Sequence, residues 1–455
     1  MAFSKILVAN RGEIAHRVIR ACRELGIRTV AVYSEADETS LHLHLADDRV
    51  CIGPPMSARS YLNMEAILEA ATKTGADAVH PGYGYLAESG EFARACEDSG
   101  LVFIGPTPEN LCLAGDKIRA KEVVKAAGVP VIPGSSGGVS DVEEAARRAG
   151  EIGYPVMVKA SGGGGGRGIR ICGDEDMLRE EFAVAKMEAG ASFGRGGLYV
   201  ERCIRAPRHI EFQILGDGSG RVVHLGEREC TIQRRYQKLI EESPSPALSA
   251  KMREAMGNAA ITAAKAVNYR NAGTVEFLVD GENDFYFMEI NARIQVEHPV
   301  TEMTTGVDLV KEQIRLASGG MLEYSFEDLP KRGWAMECRI NAENPEMNFA
   351  PSPGRVEVYR PPGGFGVRVD SHLYQGYELP IFYDSLIAKL ITFDLTRQGT
   401  IRIMKRALEE FMIEPIKTTI PLYLRVMADP RFRAGDFSTG FINRFVPDED
   451  EDGDE

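Results

Sequence analysis

Apolar positions recur along this chain with two periods. A continuous apolar run at residues 5–10 is followed by residues 13–25, where Ile14, Val18, Ile19 and Cys22 fall on one side of a helix, and then by a second short run at residues 29–33. A strand, a helix and a strand joined by short links make a βαβ unit, and residues 76–80 and 101–104 extend the strand series of a parallel sheet. Residues 1–115 are therefore expected to form a modified Rossmann-like domain. Its first turn, Asn10-Arg11-Gly12-Glu13, lacks the three-glycine dinucleotide fingerprint. His80-Pro81-Gly82-Tyr83-Gly84-Tyr85 follows a strand directly, where parallel sheets present ligand loops, although Pro-Gly-x-Gly is also an ordinary turn.

Residues 116–127 read as a helix closed by Gly128, with Lys117 in the first turn, where a cation opposes the helix dipole unless an anion lies nearby. Residues 128–138, rich in Gly, Pro and Ser, look like a hinge into a small domain that ends near Ile204. Inside that domain the apolar residues 155–158 end on Lys159, five glycines fill positions 162–166, and after Arg167 and Gly168 the residues Ile169 and Ile171 alternate with charge. Both flanks read as strands, so the segment is a hairpin with a tip free of side chains. Successive backbone N–H groups there can turn inward around an anion. Gly163, Gly165 and Gly168 satisfy G-x-G-x-x-G, but a strand follows instead of a helix, and no Gly-Lys-Ser or Gly-Lys-Thr ends a Walker-type loop. The expectation is a mobile lid over a triphosphate.

Further on, His209, Glu211 and Gln213 alternate with Ile210, Phe212 and Ile214, so the polar three share one face of a strand. That face is either solvated or part of a ribose and metal network. Gln233, Arg234, Arg235, Tyr236, Gln237 and Lys238 crowd donors together, and Pro244 and Pro246 close them as a loop. Residues 275–279 set Glu276 in an apolar strand, and residues 285–291 form a second strand with Glu289 and Asn291 on one face. A hairpin of the two brings Glu276 and Glu289 close. Two ionised carboxylates among apolar neighbours require that one be protonated or that a cation lie between them. Two Glu and an Asn suit a hard ion such as magnesium, and a salt bridge to a nearby arginine is the plain alternative. Arg293-Ile294-Gln295-Val296-Glu297-His298-Pro299 then supplies an anion clamp and a candidate general base. Residues 337–341 alternate like a strand, residues 384–389 begin another element, and residues 402–412 are amphipathic helix.

Composition changes this picture in three places. The 455 residues suffice for about three domains. The net charge of −14 excludes a general nucleic-acid binder, and half of it lies in the acidic tail at residues 448–455, expected to be disordered. Eight cysteines with no Cys-x-x-Cys pair argue against zinc and disulfide frameworks. No apolar run approaches the roughly 20 residues of a membrane span, so the expectation is a cytoplasmic protein.

Taken together, the motifs resemble the biotin carboxylase family, a branch of the ATP-grasp enzymes. They are Lys-Ile-Leu-Val-Ala-Asn-Arg-Gly-Glu-Ile-Ala from Lys5, His-Pro-Gly-Tyr-Gly from His80, the glycine hairpin, Gln-Arg-Arg-Tyr-Gln-Lys from Gln233, and Met-Glu-Ile-Asn-Ala-Arg-Ile-Gln-Val-Glu-His-Pro-Val-Thr-Glu from Met288. The resemblance covers nearly everything before the tail. It implies a mixed α/β and α+β ATP-grasp fold: a Rossmann-like region at 1–115, a lid region at 116–204, a catalytic region with a metal site at 205–330, a C-terminal domain at 331–446 and a tail at 447–455. It implies that ATP phosphorylates bicarbonate to carboxyphosphate, which then carboxylates biotin.

By the same resemblance Lys117 and Lys159 hold the phosphates beneath Gly164, Gly165 and Gly166. Glu201 and Ile204 meet the adenine, with Leu278 in the same nucleotide site, and His209, Gln233 and Tyr236 lie near the ribose and phosphates. Glu276, Glu289 and Asn291 bind magnesium or manganese. Lys238, Arg293, Gln295, Val296 and Glu297 form the bicarbonate pocket, Glu297 is the general base, Arg339 stabilises the biotin enolate, and Tyr83 lies near the biotin ring. The chain departs from the family pattern at Tyr236, where many members carry histidine, and at Arg202-Cys203, in place of a commoner Lys-Tyr. No Met-Lys-Met biotinylation site is present, so a biotinyl carrier protein and a carboxyltransferase are expected on separate chains, with a homodimer as the expected assembly. The competing readings are another ATP-grasp carboxylate ligase and a non-catalytic nucleotide-binding regulator.

Overall fold

The computed structural model describes residues 3–134, 137–160, 169–193, 198–281, 284–330 and 332–446. The glycine tip, including Gly164, Gly165 and Gly166, and the acidic tail lie outside the described residues.

The first region is a parallel sheet of β1 (Lys5–Val8), β2 (Arg28–Tyr33), β3 (Asp48–Cys51), β4 (Ala78–His80) and β5 (Val102–Phe103), in the order β3-β2-β1-β4-β5. Helix α1 (Gly12–Glu24) follows β1 and buries Ile14, Val18, Ile19 and Cys22, the stripe legible in the sequence. Strand order reverses between β1 and β4, so the loops after these two strands open side by side at their carboxyl ends. Asn10 ties them together, its Nδ2 donating to the carbonyls of Pro81 at 2.6 Å and Tyr83 at 2.8 Å. Gly82 allows this approach: its φ is +63°, and a Cβ there would sit 3.0 Å from both Asn10 and Ile14.

The small region is a three-stranded antiparallel sheet in the order β7 (Ile169–Cys172), β6 (Val156–Ala160), β8 (Leu198–Arg202). Val156, Val158, Cys172, Leu178, Phe182 and Val200 give it a core of its own. The strands flanking the glycine tip therefore pair as the alternation indicated.

The largest sheet carries the site. Its eight antiparallel strands run β13 (Phe285–Asn291), β12 (Asn271–Val279), β9 (Arg208–Gly216), β10 (Val222–Arg234), β11 (Gln237–Ser243), β14 (Trp334–Asn341), then the strands Leu386–Asp394 and Val367–Ser371. The ladder thus passes through residue 330 without a break, because β14 pairs directly with β11. One correction concerns residues 233–238. They are not a loop: β10 and β11 form a hairpin whose two-residue turn is Arg235 and Tyr236. Both have positive φ, +48° and +64°, a conformation that Gly or Asn would adopt at lower cost. The helix expected at 402–412 starts earlier, at Arg397, and ends at Glu410. Among the described residues no helix is long and apolar enough to cross a membrane.

Candidate active site

Antiparallel register lines three glutamates in a row. Glu276 is the Cα partner of Glu211 on one side and of Glu289 on the other, so β9, β12 and β13 each contribute one carboxylate. The polar face of β9 is not solvated: His209, Glu211 and Gln213 are all buried. Like charges opposed across strands repel, so such a row requires cations.

The principal cation is Lys238 on β11. Its ammonium lies 2.6 Å from Glu211 Oε2, 2.9 Å from Glu276 Oε1 and 2.7 Å from Glu297 Oε1. Each of these carboxylates passes its other oxygen to a different partner. Arg228 donates from Nε to Glu211 Oε1 at 2.5 Å, His209 Nε2 lies 2.9 Å from Glu276 Oε2, and Arg339 donates to Glu297 Oε2 at 2.9 Å. Asn291 and Gln295 add side-chain amide donors to Glu276 Oε1 at 2.6 and 3.2 Å. Burial works against every ion here, and the neighbours outweigh it. Lys238 is held far above its usual range by Cys230 and the three carboxylates, and Glu276 well below its range by Lys238 and His209. Glu297 is likewise lowered, Lys238 prevailing over burial, so it is ionised at neutral pH and able to accept a proton.

The loop after β13 wraps onto this network. Arg293 donates to Gln295 Oε1 at 2.6 Å and lies 3.2 Å from Glu88. The fully buried Lys389 donates to the Val296 carbonyl at 2.9 Å and stands 3.2 Å from Glu13, whose carboxylate also accepts from the Tyr83 hydroxyl. Tyr83 therefore belongs to the same side of the site as Val296 and Glu297. Arg339 donates from Nε to Glu241 at 2.6 Å as well as to Glu297.

A second group of charges is built the other way round. Lys121 and Lys159 both pair with the single buried carboxylate of Glu201, and Lys117 meets Glu289 at 2.6 Å. Burial would raise Glu201, but Lys159 and Lys121 bring it to about 2. Ile204 is buried just past β8, and Leu278 is the Cα partner of His209. Gln233 pairs with Lys238 across the hairpin, and Tyr236 is half exposed at its turn.

The arginine salt bridge weighed for Glu276 and Glu289 is thus replaced by lysines and a histidine. Sequence reasoning missed Lys121, Arg228, Glu241, Glu88, Glu13 and Lys389. Two of these had a signal: Lys121 stands one helical turn after Lys117, and Lys389 interrupts an apolar strand as Glu276 does.

Comparison with known proteins covers nearly the whole chain. Residues 2–111 match the family model for the biotin carboxylase N-terminal domain, residues 116–325 the carbamoyl-phosphate synthase L chain ATP-binding domain, and residues 337–444 the biotin carboxylase C-terminal domain. The chain is 56% identical to biotin carboxylase 1 of Bacillus subtilis over 97% of its own length and 98% of the relative's. It is 52% identical to the biotin carboxylase of Haemophilus influenzae, covering 97% of this chain and 98% of the relative. Among solved structures, the biotin carboxylase domain dimer of Hydrogenobacter thermophilus 2-oxoglutarate carboxylase, in complex with MgADP, ADP and bicarbonate, superposes with a TM-score of 0.95 at 53% identity, covering 99% of this chain and 100% of that one.

Proposed function

The chain belongs to the biotin carboxylase family, and from that premise we propose how its own residues carry out the ATP- and bicarbonate-dependent carboxylation of biotin. The observation that supports the assignment of roles is the Lys238 ammonium shared by Glu211, Glu276 and Glu297, with Arg339 on the far oxygen of Glu297.

The donor set fits magnesium. Glu276 and Glu289 are partners across a strand pair with Asn291 on the same face; all three carry side-chain oxygens, and the ammoniums of Lys238 beside Glu276 and Lys117 beside Glu289 mark a place that attracts positive charge. Magnesium bound by these three residues would supply positive charge against the phosphate oxygens. Lys117 and Lys159 bind the phosphates, Ile204 and Leu278 give the adenine an apolar seat beside Glu201, and His209, Gln233 and Tyr236 border the ribose. Lys238, Arg293 and Gln295, with the backbone of Val296, hold bicarbonate. Glu297, ionised and oriented by two cations, takes the bicarbonate proton. The bicarbonate oxygen then attacks the γ-phosphorus of ATP, and the bond from that phosphorus to the bridging oxygen breaks, giving carboxyphosphate and ADP. Carboxyl transfer to the biotin ring nitrogen breaks the bond between the carboxyl carbon and the phosphate oxygen, and the phosphate released takes the proton that the nitrogen gives up; Arg339, which holds the same Glu297 carboxylate, stabilises the oxyanion of the biotin ring, with Tyr83 alongside. Catalysis of this kind is mostly positioning and charge compensation.

A biotinyl carrier and a carboxyltransferase on separate chains, and assembly as a homodimer, complete this reading. The test is direct. With Mg²⁺ and ATP, ADP release should require bicarbonate and rise when free biotin is added; release indifferent to both overturns the reading.

A further inference from the structure

Behind Arg339 lies a layer of buried acid that the chemistry above does not use. Glu241 on β11 is the Cα partner of Glu337 on β14, and Arg339 stands two residues further along β14, on the same face as Glu337. Glu241 and Glu337 are both fully buried. The Oε2 of Glu241 and both carboxyl oxygens of Glu337 have no hydrogen-bond partner among the described residues. Arg339 is therefore the one group that Glu241 grips, from Nε at 2.6 Å, while the guanidinium's NH2 end reaches Glu297 at 2.9 Å. A guanidinium is planar, so holding it at two of its nitrogens fixes its plane as well as its place. Its side chain keeps a small exposed edge, 16%.

We propose that Glu241 is a positioning residue for the biotin half of the reaction: it touches no substrate and holds the Arg339 guanidinium in the plane from which that edge meets the biotin ring. This rests on the functional reading above. Glu337 supports it from behind. Burial pushes its carboxyl well above the ordinary range, and it makes no hydrogen bond to the guanidinium, which is held by Glu241 and Glu297.

One hydrogen bond to a charged group contributes about 1.5–3 kcal/mol, or roughly 10- to 100-fold. Glu241→Ala should therefore lower kcat for biotin-dependent ADP release by about that factor. The slow, bicarbonate-dependent release without biotin should stay within about 3-fold. Glu241→Gln keeps an acceptor for Nε and should retain most of the biotin-dependent rate, which separates orientation from charge balance. Should Glu241→Ala not fold, Glu241→Asp carries the test, since the shorter side chain keeps a carboxyl group but draws the guanidinium back, and the biotin-dependent rate should still fall. Loss of both rates in proportion, no loss of either, or a Gln variant as impaired as Ala overturns the proposal. Absence of biotin stimulation in the unaltered protein would instead count against the functional reading itself.

Discussion

The two charged halves of the site are opposites. Around Lys238 one ammonium is shared by three carboxylates, and each carboxylate is closed off by a further partner, Arg228, His209 or Arg339. Around Glu201 one carboxylate is shared by two ammoniums, Lys121 and Lys159. The first arrangement is a closed net in which every charge has a neighbour that restrains it, so it keeps its geometry while substrates come and go. The second is an open fork. Burial and Lys159 lower the pKa of Lys121, so the ammoniums compete for one partner and can be passed to an incoming polyanion. The acceptor for the proton and the cations for the phosphates that we propose are thus built from the same residue types in inverse ratio.

The difference can be broken from either side. The largest effect is expected from Glu297→Gln, which opens the net at its base. Biotin carboxylation should fall by about 10²- to 10⁴-fold, the usual contribution of a general base, while nucleotide affinity changes by only a few-fold. Carboxylation and nucleotide titration on the same sample check this, and unchanged turnover would remove Glu297 from its role. Next comes Glu201→Gln, which deprives the fork of its only carboxylate. With a folded value of about 2 against 4.5, Glu201 contributes about 3 kcal/mol at neutral pH. A depressed carboxylate gives its full contribution above pH 4.5 and loses it as pH falls toward 2. Denaturation midpoints of the two proteins should therefore differ most at neutral pH and converge below pH 4.5; a constant gap would contradict the ion-pair account. The smallest effect belongs to Lys121→Met, since Lys159 still satisfies Glu201. Stability should shift by less than about 1 kcal/mol. The KM for ATP should rise by a few-fold with kcat kept, and a collapse of kcat would mean that Lys121 acts in the chemistry.

Much of this was legible in the residues themselves. The alternation around Glu276 and Glu289, in two apolar strands a short polar segment apart, pointed to their pairing, and the strands around the glycine tip announced themselves by their apolar runs. The net around Lys238 was not legible, because its members come from β9, β11, β12 and the loop after β13, and register between distant strands is a tertiary fact. The hairpin at Arg235 and Tyr236 hid for a local reason: neither residue is a turn former, and a dense row of donors looks like a solvated loop. Lys121 and Lys389 were visible as lysines but carried no sign of their partners. The short strand β3 was missed because it spans only Asp48–Cys51, of which Asp48 and Val50 alone are partly sheltered, too short an alternation to stand out as a strand.

The hydrogen-bonded seam between β11 and β14 makes the molecule indivisible. Lys238 and Arg339 lie in segments matched by separate family models, yet residues 240–243 of the first pair along their backbone with residues 335–338, the strand that runs into the second. Cut the polypeptide between those segments and the first fragment would end in a raw strand edge, open to pairing with any other chain. Glu297 would keep Lys238 and lose Arg339. Shuffling of parts among relatives must therefore carry both segments together, because the ladder that joins them also assembles the pocket.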